Sequence, residues 1–270
     1  MEKRKGIKMS SYQVICGDCR EQVKKLIDDG IKIDLTITSP PYSDLRKYIG
    51  NVNFTDSVWE ELIPLLYEIT NDGGVVVWIV NDRVKNGSKT GISFRQALAF
   101  IDAGFNLNDT MIWKKKNPMP EVKQPRYSSS FEYMFVFSKG KPKTFNPIKV
   151  PCKCAGQNYD STCKNMGGEN GRTEKHFVIN KEKVKSNVWE CAIAQNKTNH
   201  TAIFPLQLIV DHVKSWTNEG DMVLDPFVGS GTSGIAALQL NRNFIGIDIV
   251  PEYCQLADKQ IKDFQHGKSK

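Results

Sequence analysis

Two short segments, each set directly after an apolar run, constrain this chain more than any other feature. Asp225-Pro226-Phe227-Val228-Gly229-Ser230-Gly231-Thr232 follows Met222 to Leu224, and Thr38-Ser39-Pro40-Pro41-Tyr42 follows Ile33 to Ile37. Short apolar runs that break at once into glycine or proline read as buried strands giving way to loops. In an open α/β sheet the carboxyl edge of such strands is where ligands bind.

In the later segment Gly229 and Gly231 allow a tight turn and close backbone approach, and Ser230 and Thr232 suit the start of a helix over Ser233 to Leu240. A helix start of that kind favours a ligand carboxylate. A second apolar strand, Asn243 to Ile247, ends at Asp248, and an acid there can accept hydrogen bonds from ribose hydroxyls. The glycine pattern lacks the third glycine of G-x-G-x-x-G and the G-K-[ST] ending, which weakens the NAD and P-loop readings. A plain helix-capping loop and a solvated strand-end acid are the structural alternatives at this point.

The chain resembles the amino-methylating DNA methyltransferases that use S-adenosylmethionine, in the class whose catalytic motif precedes its cofactor motif. Ser39-Pro40-Pro41-Tyr42 matches the catalytic tetrapeptide [DNS]-P-P-[YFW], and Asp225 to Thr232 matches the cofactor loop D-P-F-x-G-S-G-T. Gly17-Asp18-Cys19, Phe244 to Asp248 and the stretch from Arg126 to Lys139 match as well. The implied fold is a Rossmann-like α/β methyltransferase, circularly permuted, with a mostly parallel seven-stranded sheet. Its implied parts are a catalytic half over 1–140, an inserted recognition region over 141–197 and a cofactor half over 198–270.

The resemblance also assigns roles. The cofactor falls to Asp18, Asp225, Pro226, Phe227, Gly229, Ser230, Gly231, Thr232 and Asp248, with Asp18 reaching the adenine. His200, Thr201 and Phe204 belong to a segment that closes over the donor's methionine part, and Thr201 stands where the family commonly has proline. Catalysis falls to Ser39, Pro40, Pro41 and Tyr42. An exocyclic base amine is a poor nucleophile because its lone pair is delocalised, so fixed acceptors must hold it. Ser39 and the Pro40 carbonyl supply them, two prolines stiffen the loop, and Tyr42 stacks on a base flipped out of the duplex. In the family, serine at the head of the motif goes mostly with cytosine N4, the first reading, and adenine N6 is the runner-up. A catalytically silent DNA-binding subunit and an RNA methylase are the competing readings.

Charge supports a polyanionic partner. Of the net charge of +7, all lies between Lys139 and Asn199, where twelve Lys and Arg face five Asp and Glu. That segment falls outside the matched motifs, and its excess is the footprint of a phosphate-contacting insert, though a merely solvated basic surface has the same composition. Contacts to double-stranded DNA are therefore expected from Lys181, Lys183 and Lys185, and from Lys114, Lys115, Lys116 and Arg126 near the pocket. A cognate restriction endonuclease acting on the same site is a further implied partner.

Seven cysteines at irregular positions fit reduced thiols, and no metal site is expected. Cys152, Cys154 and Cys163 with His176 or Cys191 do not have recognised finger spacing. The start is charged without a signal-peptide core, and no apolar run spans a membrane, so a cytoplasmic protein is expected. Between the motifs the spacing predicts strands at Tyr12 to Cys16, Val75 to Val80, Leu107 to Trp113 and Ser130 to Phe137. Helices are expected at Arg20 to Asp28, Ser57 to Ile69 and Phe94 to Ala103, with a loop over Lys114 to Pro120, and the resemblance implies a further helix over Glu252 to Phe264.

Overall fold

The computed structural model describes residues 11–41, 55–118, 125–164, 172–192 and 205–267, with 160–164 and 172–177 described by their backbone. Among these the chain runs β1 (Tyr12–Cys16), α1 (Cys19–Asp28), β2 (Ile33–Thr38), α2 (Asp56–Ile69), β3 (Thr70–Val80), β4 (Val84–Lys85), β5 (Ser88–Lys89), α3 (Ile92–Asp102), β6 (Asn106–Lys115) and β7 (Phe131–Ser138). It continues through β8 (Lys149–Pro151), β9 (Asn158–Lys164), β10 (Arg172–Val178), β11 (Glu182–Val184), β12 (Val188–Cys191), α4 (Leu206–Trp216), β13 (Met222–Asp225), α5 (Thr232–Gln239), β14 (Asn243–Asp248) and α6 (Pro251–Gln265).

The main sheet has eight strands in the order β1-β14-β13-β2-β3-β7-β6-β12. Only β7 runs against the others, pairing antiparallel with both β3 and β6. The eighth strand is β12, which lies in the stretch expected to be insert and instead extends the sheet beside β6 in parallel register. Permutation shows in the centre, where β13 pairs with β2, Val223 beside Leu35 and Leu224 beside Thr36. From that pair the chain order diverges, β14 and β1 to one side and β3 to the other, which makes it the topological switch point.

All six residues of β2 are buried, as a central parallel strand covered on both faces requires. Helices α1, α2 and α3 form one layer and α4, α5 and α6 the other. Asp18 starts α1 by capping the Arg20 N–H at 2.8 Å, and Pro251 occupies the first turn of α6, where its missing N–H is harmless. The first layer packs Leu62 and Leu66 of α2 and Phe100 of α3 on Trp78 and Phe137 of the sheet. Phe100 stacks on Phe137 with ring centres 4.3 Å apart, and full burial of a side chain of this size contributes roughly 1.5–3 kcal/mol.

Residues 1–146 and 187–270 form one compact unit and Pro147–Ser186 a second. The second contains two antiparallel hairpins, β8 with β11 and β9 with β10. It is narrower than the expected insert because the flanks pack into the first unit. Phe145 stacks on Trp216 at 5.0 Å, and the Asn146 N–H donates to the Ser215 carbonyl. Among the described residues no helix is long and apolar enough to cross a membrane.

Candidate active site

At the carboxyl edge of the sheet the ends of β1, β14, β13 and β2 stand side by side, and with them Asp18, Asp248, Asp225 and Ser39. Asp225 is buried at the switch point. Its Oδ1 accepts from the Thr38 hydroxyl at 2.6 Å and the Phe227 N–H at 3.0 Å, and its Oδ2 accepts from the Ser233 hydroxyl at 2.6 Å. Burial pushes this carboxyl up to about 6 against the pull of those three donors. Asp225 thus works as an anchor, holding the end of β2, the glycine loop and the start of α5 to one point.

Asp248 holds the same loop from the other side. Its Oδ2 accepts from the Gly229 N–H and its Oδ1 from the Val250 N–H, each at 3.0 Å, while burial raises its pKa. Asp18 accepts from Arg20, with Nη2 at 2.6 Å, and that guanidinium holds its carboxyl below the usual range. A carboxylate oxygen has more than one acceptor site, so both acids keep capacity for ligand hydroxyl or amino groups.

The loop between β13 and α5 turns through left-handed glycines, Gly229 at φ 51° and Gly231 at φ 87°. At Gly231 a side chain is excluded twice, by that φ and by Ala257 of α6, whose backbone would lie 3.0 Å from an added Cβ. The turn aims the first N–H groups of α5 outward from the sheet edge, a cradle that fits an anionic or nucleoside ligand. At the end of β2 Ser39 is half-buried and Pro40 buried, directly after the anchored Thr38. Tyr42, His200, Thr201 and Phe204 lie outside the described residues.

The basic residues divide. Lys114 and Lys115 lie within β6, not in the expected loop, because β7 and β12 flank that strand to its end. Lys115 pairs with Glu132 at 2.6 Å and Lys114 with Glu190 at 3.4 Å. Exposed Lys116 follows the strand, and Arg126 donates to the Gly87 carbonyl at 2.7 Å. Lys181 and Lys183 are exposed and Lys185 half-buried in the second unit. The side chains of Cys163 and His176 lie outside the described residues.

Sequence reasoning missed Thr38 and Ser233 as partners of Asp225. It also missed Asn81 and Asp82 at the end of β3, on the same edge. Asn81 donates to the Phe131 carbonyl at 3.0 Å, and Asp82 accepts from the N–H and hydroxyl of Ser93, at 3.1 and 2.9 Å, at the start of α3. Two polar residues directly after the apolar run Val75 to Val80 were the available clue.

A glycine loop and strand-end acids at the switch point of a mostly parallel sheet define the class of Rossmann-like methyltransferases. The model of the DNA methylase family, whose members modify N6 or N4 amino groups, matches residues 33–259, and the chain belongs to that family. It is 44% identical over 244 residues to the orphan methyltransferase M.BamHII of Bacillus amyloliquefaciens, covering 86% of this chain and 89% of that one. The M1.HpyAVI–SAM complex superposes with a TM-score of 0.59 at 28% identity, covering 92% of this chain and 99% of that one. The cytosine-N4-specific PvuII DNA methyltransferase shares the fold, with a TM-score of 0.66 at 18% identity over 96% of this chain and 92% of that one. The protein is accordingly an S-adenosylmethionine-dependent DNA methyltransferase of the N4/N6 amino-methylating family.

Proposed function

We propose that the enzyme methylates the N4 amino group of cytosine in double-stranded DNA, after flipping the base, by direct in-line attack without a covalent enzyme intermediate. The observation that carries this reading is the placement of Ser39 and Pro40 immediately after Thr38, whose hydroxyl is fixed to Asp225 beside the cofactor loop. When bound, S-adenosylmethionine supplies a methyl group on a positively charged sulfur. Asp18, Asp248 and the loop from Pro226 to Thr232 hold it. The Ser39 hydroxyl and Pro40 carbonyl accept the amino hydrogens where charge develops, Pro41 stiffens the turn, and Tyr42 stacks on the flipped base.

Serine rather than aspartate favours cytosine. A hydroxyl can donate as well as accept, so Ser39 serves a ring N3 beside the amino group, whereas a carboxylate only accepts. The basic unit Pro147–Ser186, with Lys181, Lys183 and Lys185, is assigned to DNA recognition, with the 141–197 stretch as its wider setting. A restriction endonuclease of the same specificity and a cytoplasmic location belong to the same reading.

Plasmid DNA from an expressing host, digested to nucleosides and analysed by mass spectrometry, tests the base. N4-methylcytosine is expected. N6-methyladenine as the sole product would overturn the base assignment.

A further inference from the structure

Strand β1 and helix α6 bring two thiols together at the carboxyl edge of the sheet. Side chains alternate along a strand, so Tyr12, Val14 and Cys16 share one face of β1. That face meets α6, since the Tyr12 hydroxyl donates to Asp258 at 3.0 Å. Cys254 stands one turn before Asp258, on the same side of the helix. Its Sγ lies 3.3 Å from the Asp248 carbonyl and 3.8 Å from the Ile15 carbonyl, and Asp248 is the sheet partner of Cys16. The two thiols are within hydrogen-bonding reach of each other.

They differ in access to solvent. Cys16 is exposed at the end of an edge strand, whereas Cys254 is buried. Burial and the neighbouring Cys16 push the Cys254 thiol up to about 12, so it stays protonated at neutral pH and Cys16 meets a dissolved oxidant first. An accessible cysteine with a second one poised beside it closes to a disulfide instead of passing on to irreversible acids. Cys19 follows Cys16 closely in sequence but is no competitor, because it is buried in the core with Val23 and Trp59, in the layer formed by α1 and α2 on the opposite face of the sheet.

We propose that Cys16 and Cys254 form an oxidation-sensitive modification site, which hydrogen peroxide converts to a disulfide that lowers affinity for S-adenosylmethionine. The Cys16 sulfur attacks a peroxide oxygen, the O–O bond breaks, and the Cys16 proton leaves with the other oxygen as water. The Cys254 sulfur then attacks the resulting sulfenic acid of Cys16. The S–S bond forms, the S–O bond breaks, and the hydroxyl departs with the Cys254 proton as a second water. Two thiols thus give up two electrons to one peroxide. Closure removes the Cys254 S–H from the Asp248 carbonyl, which also accepts from the Gly17 N–H at 2.8 Å. The bond therefore forms where the backbone of Asp248 meets the turn into Asp18, and its effect rests on the reading of these two acids as holding the methyl donor.

Peptide mapping of the full chain by mass spectrometry, after peroxide treatment and alkylation, tests the bond, and calorimetric titration with S-adenosylmethionine tests its effect. A peptide pair linked through Cys16 and Cys254 is expected, with affinity lowered at least roughly fivefold and restored by dithiothreitol. Cys16→Ser, at an exposed position, should bind S-adenosylmethionine as the wild type does and keep that affinity through peroxide treatment. A missing link, a link from Cys16 to Cys19, undiminished affinity in the oxidised wild type, or an equal loss in oxidised Cys16→Ser would overturn the proposal. Failure of the underlying assignment shows separately, as wild-type affinity in reduced Asp248→Ala.

Discussion

The Thr38 hydroxyl donates to Oδ1 of Asp225 over 2.6 Å, joining residues 187 apart in sequence. Thr38 precedes the tetrapeptide proposed to be catalytic and Asp225 opens the loop proposed to hold the cofactor, so one buried bond joins the two segments. Both residues are buried, so little solvent is at hand to replace a lost donor.

Thr38→Val keeps the shape of the side chain and removes the hydroxyl. A hydrogen bond to a charged group contributes about 1.5–3 kcal/mol, and loss of that amount should lower the melting temperature by roughly 3–10 °C. The donor-induced rise in melting temperature should shrink as well, because the loop loses one of its anchors. Thr38→Ser should restore both. An unchanged melting temperature in Thr38→Val would show that the bond does not hold the halves together.

The buried carboxyl of Asp225 makes a pH prediction. Its folded value of about 6 lies above the ordinary 3.8, so the folded chain binds this proton more tightly than the unfolded chain does. The resulting stabilisation is fully present below about pH 4 and is lost as pH rises through about 6, a swing of about 3 kcal/mol. Asp225→Asn carries no such proton. Its stability relative to wild type, from urea denaturation at each pH, should therefore rise by about that amount between pH 4 and 7. Two parallel pH–stability curves would contradict the assignment.

Much of this arrangement is legible in local sequence. Val75 to Val80 and Asn243 to Ile247 read as strands because apolar runs of that length bury both faces, and Asp225 to Thr232 announces its own turn through Gly229 and Gly231. What escaped was non-local. Val188–Cys191 is too short to announce a strand, and only β6 beside it makes it one. Lys114 and Lys115 look like loop residues in a run of lysines, yet Glu132 and Glu190 on neighbouring strands neutralise them. The role of Asp225 as an anchor depends on Thr38 and Ser233, which no spacing rule connects.

The second unit offers a test by salt. Lys181 and Lys183 are exposed, and Lys185 lies at its end, half-buried. If all three neutralise phosphates, replacing them together with Gln should flatten the log–log dependence of DNA affinity on salt by up to about three. Binding titrations from low to physiological salt measure that slope. A slope equal to wild type would place the duplex on other residues.

Ser39 and Tyr42 carry the assigned chemistry, and their variants separate transition-state work from donor binding. The Ser39 hydroxyl is assigned to the amino group as it becomes pyramidal, and Tyr42 to the flipped base, so neither contributes to holding S-adenosylmethionine. Ser39→Ala and Tyr42→Ala should each lower the single-turnover rate by at least roughly tenfold while leaving donor affinity within about twofold of wild type. A mismatched target cytosine, already unpaired, should recover part of the loss in Tyr42→Ala, where flipping is impaired, but none in Ser39→Ala, where it is not. Wild-type rates in both variants, measured with saturating donor and a duplex containing the recognition site, would remove these residues from the reaction.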